Sequence, residues 1–116
     1  MHLEPAMNVF YTNRFVPEGS AGCARGPVIL IRPEYKGDQG LLAHERVHVK
    51  QWLRTFGLHS FLYLLSDRYK LACEVEAYQE QAKHYPDDRT TRFAIYIADD
   101  YGLTVTAHAA LKLLRE

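Results

Sequence analysis

Nowhere does this chain offer an apolar run long enough to cross a bilayer, since the longest, Phe56 to Leu65, is interrupted by Gly57, His59 and Ser60. Met1 to Met7 has neither the basic nor the apolar part of a signal peptide, so a cytoplasmic protein with no membrane as partner is expected. Excess charge is missing too. Fourteen basic residues balance fourteen acidic ones, and no Lys/Arg-rich run occurs, which removes the electrostatic footprint of a nucleic-acid binder. Cysteine is scarce. Cys23 lies in a Gly-rich segment and Cys73 in a helical one; two do not make a disulfide framework, and free thiols in a reducing compartment are expected. There is no internal repeat or low-complexity tract. What remains is 116 residues, read as a single domain from 1 to 116 and long enough to bury about 65% of its unfolded surface.

Residues 8–15, rich in β-branched and aromatic types and closed by Val16-Pro17-Glu18-Gly19, read as a strand. Gly19 to Gly26 reads as loop. Pro27 to Arg32 is a short apolar run ended by Pro33, and gives a second strand beside the first. A helix from about Gln39 to Phe56 follows, with Asp38 as N-cap and Gly57 as stop. Beyond it the chain reads as helical: Leu58 to Leu65, then a helix capped by Ser66 or Asp67 that runs to about His84. Two more follow, one from Pro86-Asp87-Asp88 to about Tyr101 and a last one capped by Thr104 that runs to Arg115. The fold class is therefore α+β, a small amino-terminal sheet packed on a mostly helical remainder.

Within the first long helix stands His44-Glu45-Arg46-Val47-His48. Histidines four apart lie one turn above each other, so both imidazoles can reach one ion, with the intervening glutamate beside them. At about 100° per residue, Leu41, His44, Glu45, His48 and Trp52 form one stripe, while Arg46, Lys50 and Arg54 fall opposite. The histidines thus face inward. On the helix after Ser66, Glu74 and Glu76 point about 200° apart; Glu74 borders the apolar stripe of Leu71, Val75, Tyr78 and Ala82, which makes it the inward acid. An inward carboxylate is costly unless it is paired or bound to a metal, and two histidines leave tetrahedral zinc one protein ligand short. Joining them gives one Zn²⁺ per chain on His44, His48 and Glu74, with a fourth position left for water. Glu45 would be the general base beside it. An ion pair of Glu74 with Lys70 or Arg68 is the competing reading.

His44-Glu-Arg-Val-His48 followed by Glu74-Val-Glu-Ala77 resembles the gluzincin branch of the zincin metallopeptidases, especially its minimal single-domain members. The resemblance covers about residues 27–80. It implies a zincin-like fold in which His44, His48 and Glu74 are the ligands, Glu45 is the base, and an edge strand over the active-site helix binds an extended peptide. Val28 to Ile31 would be that edge. Many gluzincins carry an acid four residues after the glutamate ligand, where this chain has Tyr78; Asp38, Asp99 or Asp100 could orient a histidine instead. Tyr78, Tyr11, Tyr35, Arg25 and His108 are candidates for stabilising an oxyanion. Cys23 could cap the zinc, though a lone loop cysteine rarely does; His59, His84 and His108 read as packed or half-exposed side chains rather than ligands, and His2 as part of a mobile terminus.

The function expected is zinc-dependent hydrolysis of peptide bonds in a peptide or protein substrate. The alternative is a catalytically inert zincin-like protein that keeps zinc for binding or assembly. A third reading is a metal-free helical interaction module.

Overall fold

Four consecutive branched aliphatics, Val28-Ile-Leu-Ile31, suit a strand buried on both sides, and in the computed structural model, which describes residues 8–116, they form the central strand β3. The expectations placed on Met1–Met7 and His2 lie outside the described residues. β1 (Asn8–Tyr11) pairs with β3 in parallel, and β2 (Gly22–Arg25) pairs with its other side antiparallel, so the order is β1-β3-β2. The first expected strand is shorter than the 8–15 read from sequence. β2 was expected to be loop. Its Gly-Cys-Ala-Arg sequence has little strand propensity, and the strand is imposed instead by hydrogen bonding along β3. Gly22 is required there: a Cβ would come within 2.8 Å of the Leu30 carbonyl oxygen.

This corrects the expected substrate edge. Val28–Ile31 is paired on both sides and has no free edge; the edge strand over the helical layer is β2.

Five helices follow: α1 (Gln39–Arg54), α2 (His59–Leu65), α3 (Asp67–Ala82), α4 (Thr90–Asp100) and α5 (Ala107–Leu114). Asp38 caps α1, its carboxylate accepting from the Leu41 N–H at 3.0 Å. Phe56 (φ 53°) and Gly57 (φ 87°) end it in the left-handed region. Ser66 caps α3. The last two helices start later than expected. Asp88 accepts from the Thr90 N–H, fixing the α4 start, and Thr106, not Thr104, caps α5. α3 ends at Ala82 rather than His84.

α1 lies between the sheet and α3. Ile29, Ile31 and Val49 form the core beneath the sheet, and Tyr78, Phe93, Ala94, Ile97, Ala110 and Leu114 form a second core among α3, α4 and α5. Full burial of an isoleucine stabilises by about 1.5–3 kcal/mol, so these two clusters clamp α1 and α3 against each other from opposite sides. The basic residues Arg46, Lys50 and Arg54 point to solvent as the helical wheel requires. Both cysteines are free. No helix of the described residues is long and apolar enough to cross a membrane.

Gly40, buried in the first turn of α1, faces the ring of Tyr85, whose hydroxyl donates to Asp38 Oδ1 (2.7 Å) and accepts from Gln81 Nε2 (3.0 Å). A Cβ at position 40 would overlap that ring. Gly40→Ala is expected to destabilise by about 1–3 kcal/mol, although alanine alone would favour the helix by about 1 kcal/mol. Thermal unfolding checks this, and an unchanged or raised Tm would contradict it.

Candidate metal centre

The turn-to-turn spacing of His44 and His48 on α1 brings their Nε2 atoms to 3.2 Å from each other. From α3, Glu74 completes the group: Oε1 is 3.3 Å from His44 Nε2 and Oε2 is 3.2 Å from His48 Nε2. Glu74 is 1% exposed and His44 4%. Among the described residues these three are the one cluster of histidine, cysteine and acid side chains able to share a metal ion. Glu76 points outward to Arg54, as the 200° argument requires, and Glu74 pairs with neither Lys70 nor Arg68.

Hydrogen bonding fixes which His48 nitrogen is free. His48 Nδ1 is 2.8 Å from Gln51 Oε1. The Gln51 amide nitrogen donates to the Cys73 carbonyl (3.1 Å) and to Glu76 Oε1 (2.8 Å), so its oxygen must be the atom facing the imidazole. Nδ1 therefore donates, and Nε2 turns its lone pair toward Glu74 when the ring is neutral. Gln51 takes the orienting role that was expected of Asp38, Asp99 or Asp100. Asp38 is engaged by the α1 cap and Tyr85, and Asp99 and Asp100 are exposed at the rim of the cleft. Tyr78 packs edge-on against the His44 ring, with centroids 4.4 Å apart, and bonds Tyr101 rather than the histidine. His44 Nδ1 and Glu74 Oε1 are buried without a hydrogen-bond partner among the described residues.

Three acceptors facing one point need a cation. Burial alone would lower the pKa of His48, but the Glu74 carboxylate beside it prevails and pushes it up to about 9. Burial likewise acts to raise Glu74, and the two histidines overcome it, holding the carboxyl well below its usual range. Glu45 is shifted the other way. Desolvation raises it, partly offset by the histidines, and it forms no hydrogen bond among the described residues while lining the cleft.

That cleft has two unequal halves meeting at His44 and Glu45. One, about 430 Å³, lies between β2 and α2, with Trp52, His59, Tyr63 and Leu64 on its walls. The other, about 1050 Å³, is rimmed by charges of both signs, among them Arg32, Arg89, Arg92, Asp99 and Asp100. Gly22 belongs to both, so β2 runs along the cleft. Cys23 lines the smaller half outside the ligand group, with its thiol turned to the Phe15 carbonyl.

Of the oxyanion candidates, Arg25 lines the cleft but donates to the Phe15 carbonyl at 2.8 Å. Tyr78 and Tyr35 reach the larger half, and Tyr11 and His108 line neither. Sequence reasoning missed Tyr63, whose hydroxyl donates to Glu74 Oε2 at 2.6 Å. Gln51 was missed as well, although its place three residues after His48 on the same face, a polar side chain at an inward position, was the signal for it. His59 lines the cleft but bonds Tyr69, and His84 and His108 are exposed; none of the three joins the His44, His48 and Glu74 group. The chain matches no protein-family model, no curated protein and no solved structure.

In the metal-free chain, His48 contributes stability that is complete below about pH 6.5 and is lost as pH rises through about 9. Glu45, also raised, loses its contribution in the same direction. Glu74, held low, contributes above its ordinary value of 4.5 and loses that contribution as pH falls. Thermal melts of chelator-treated protein should peak between about pH 4.5 and 6.5 and decline toward pH 9. A Tm that keeps rising to pH 9 would contradict the ion pair.

Proposed function

We propose that this chain is a zinc-dependent peptidase of the gluzincin kind, acting on an extended peptide or protein segment, with His44, His48 and Glu74 as ligands and Glu45 as general base. The observation that carries the reading is the convergence of two imidazole nitrogens and a buried carboxylate at 3.2–3.3 Å from one another. Ligands at the usual 2.0–2.1 Å from a tetrahedral ion are about 3.3–3.4 Å apart; the two imidazole nitrogens stand close to that spacing, each faces its own Glu74 oxygen, and two imidazoles with a carboxylate are a donor set zinc takes. The unpartnered Glu74 Oε1 is a further place for its charge.

A bound zinc ion supplies Lewis-acid polarisation of the scissile carbonyl and acidifies water near neutral pH. The remaining work falls to the chain. Glu45, its carboxyl raised by burial, accepts the proton of the attacking water and passes it to the departing amine nitrogen. Gln51 holds the His48 ring with its Nε2 lone pair inward, and Arg54 holds Glu76, which in turn holds the Gln51 amide. The outer edge of β2, unpaired among the described residues, offers backbone groups along the cleft, so a substrate strand can add to the sheet across His44 and Glu45. Side-chain selection then differs on the two sides of the scissile bond, one half of the cleft being largely apolar and aromatic and the other charged.

A second reading, a zincin-like protein that keeps the ion without turnover, is favoured by one feature. Tyr63 spends its only donor on Glu74 Oε2, and the Arg25 guanidinium is anchored at the Phe15 carbonyl, so Tyr63 must exchange partners and Arg25 must reach from that anchor before either can serve an oxyanion. Screening the zinc-loaded protein against a peptide library separates the two. Turnover is expected in wild type, with Glu45→Gln reducing kcat/KM by about 10²–10⁴-fold while retaining its zinc. Zinc-loaded wild type without turnover, or a Glu45→Gln variant as active as wild type, would favour the inert reading or displace Glu45 as base.

A further inference from the structure

The end of α1 and the outer side of α2 carry apolar side chains that are open to solvent. Seven of the thirteen exposed large apolar and aromatic side chains among the described residues fall between Leu53 and Leu65, and α2 buries none of its residues. Phe61 is 66% exposed, Leu64 77% and Leu65 70%. Single exposed apolar residues are ordinary, whereas a contiguous ridge marks a contact surface. At its tip Phe56 is 96% exposed and sits at φ 53°, a conformation that β-carbon residues seldom adopt and that projects its ring away from the body.

Chemistry around the ridge identifies what it meets. No acid occurs between Glu45 and Asp67; Arg46 and Lys50 precede the ridge, Arg54 lies within it and is paired with Glu76, and Arg68 and Lys70 follow Asp67, so basic residues outnumber acidic ones around it. Arg46, Lys50, Arg54 and Arg68 are exposed. From Leu58 to Leu65 the only exposed side chain able to hydrogen-bond is Ser60, because His59 is tied to Tyr69 and Tyr63 to Glu74. A protein partner of ordinary kind expects about one hydrogen bond per 100–200 Å² of interface, which this surface does not offer. An apolar strip flanked by cations is the pattern of an interfacial anchor.

We propose that Leu53–Leu65 docks the chain onto an anionic lipid bilayer, with Phe56, Phe61, Leu64 and Leu65 at the acyl boundary and Lys50 and Arg68 among the phosphates. This revises the expectation of no membrane partner, which rested on the lack of a spanning segment. Because α2 also walls the smaller half of the cleft, docking holds the cleft mouth at the lipid surface.

The test is co-sedimentation of the full chain with phosphatidylcholine vesicles, with and without phosphatidylglycerol, at low and high salt. Binding is expected to be about tenfold or more tighter to the anionic vesicles and weakened by salt. The double substitution Phe56→Ser, Phe61→Ser should weaken it by about tenfold or more. Both positions are exposed, so the circular dichroism spectrum and Tm should be unchanged, and the result should be the same with or without chelator. Equal binding by wild type and the double variant, or no binding to anionic vesicles, overturns the proposal. A dimer in light scattering that the same substitutions dissolve, with no vesicle binding, overturns it in favour of a second copy as occupant.

Discussion

A carboxylate with 1% exposure stands between two imidazole nitrogens at 3.2–3.3 Å, and much of the molecule is arranged to keep it there. An ionised carboxyl in such a place costs several kcal/mol unless a cation and hydrogen bonds compensate. Tyr63 supplies one hydrogen bond from α2, and the two imidazoles of α1 stand within 3.2–3.3 Å. The cation is either the proton that His48 holds up to about 9 or a metal ion in its place. A metal ion held there would compete with that proton for the same lone pair and so link pH, folding and metal uptake through a single atom, His48 Nε2. Each outer contact then serves that atom: Gln51 fixes the tautomer, Glu76 and the Cys73 carbonyl fix Gln51, and Arg54 fixes Glu76.

Holding α1 and α3 in this register is the work of two separate cores, one under the sheet and one among the last three helices. The site sits at their seam, where neither core closes over it. That is why His44 and Glu45 can be nearly buried and still line a cleft. β2 completes the seam. Its small residues, poor strand formers by themselves, let the backbone run close over α1, and Gly26 leaves room for the Trp52 ring at 3.3 Å from where its Cβ would stand.

How far the sequence foretold this depended on whether the deciding force was local. The α1 stripe, the Asp38 cap, the inward turn of Glu74 and the outward turn of Glu76 all follow from helical geometry, and the structure has them. β2 did not follow, because its partner is β3 and no residue in Gly19–Gly26 encodes pairing; calling β3 an edge was the direct result. The partner of His48 was sought among acids far along the chain, when the nearer answer was Gln51 on the same helix face. Tyr63 belongs to a leucine- and phenylalanine-rich segment, and only the packing of α2 against α3 brings its hydroxyl to Glu74.

The account stands on three side chains sharing one zinc ion. Elemental analysis of untagged protein after zinc loading and dialysis at neutral pH, with Glu74→Ala alongside, tests it most directly. One zinc per wild-type chain and markedly weaker retention by Glu74→Ala are expected. A wild-type chain that retains no zinc would contradict the account and leave His44, His48 and Glu74 as a buried ion pair of structural use alone.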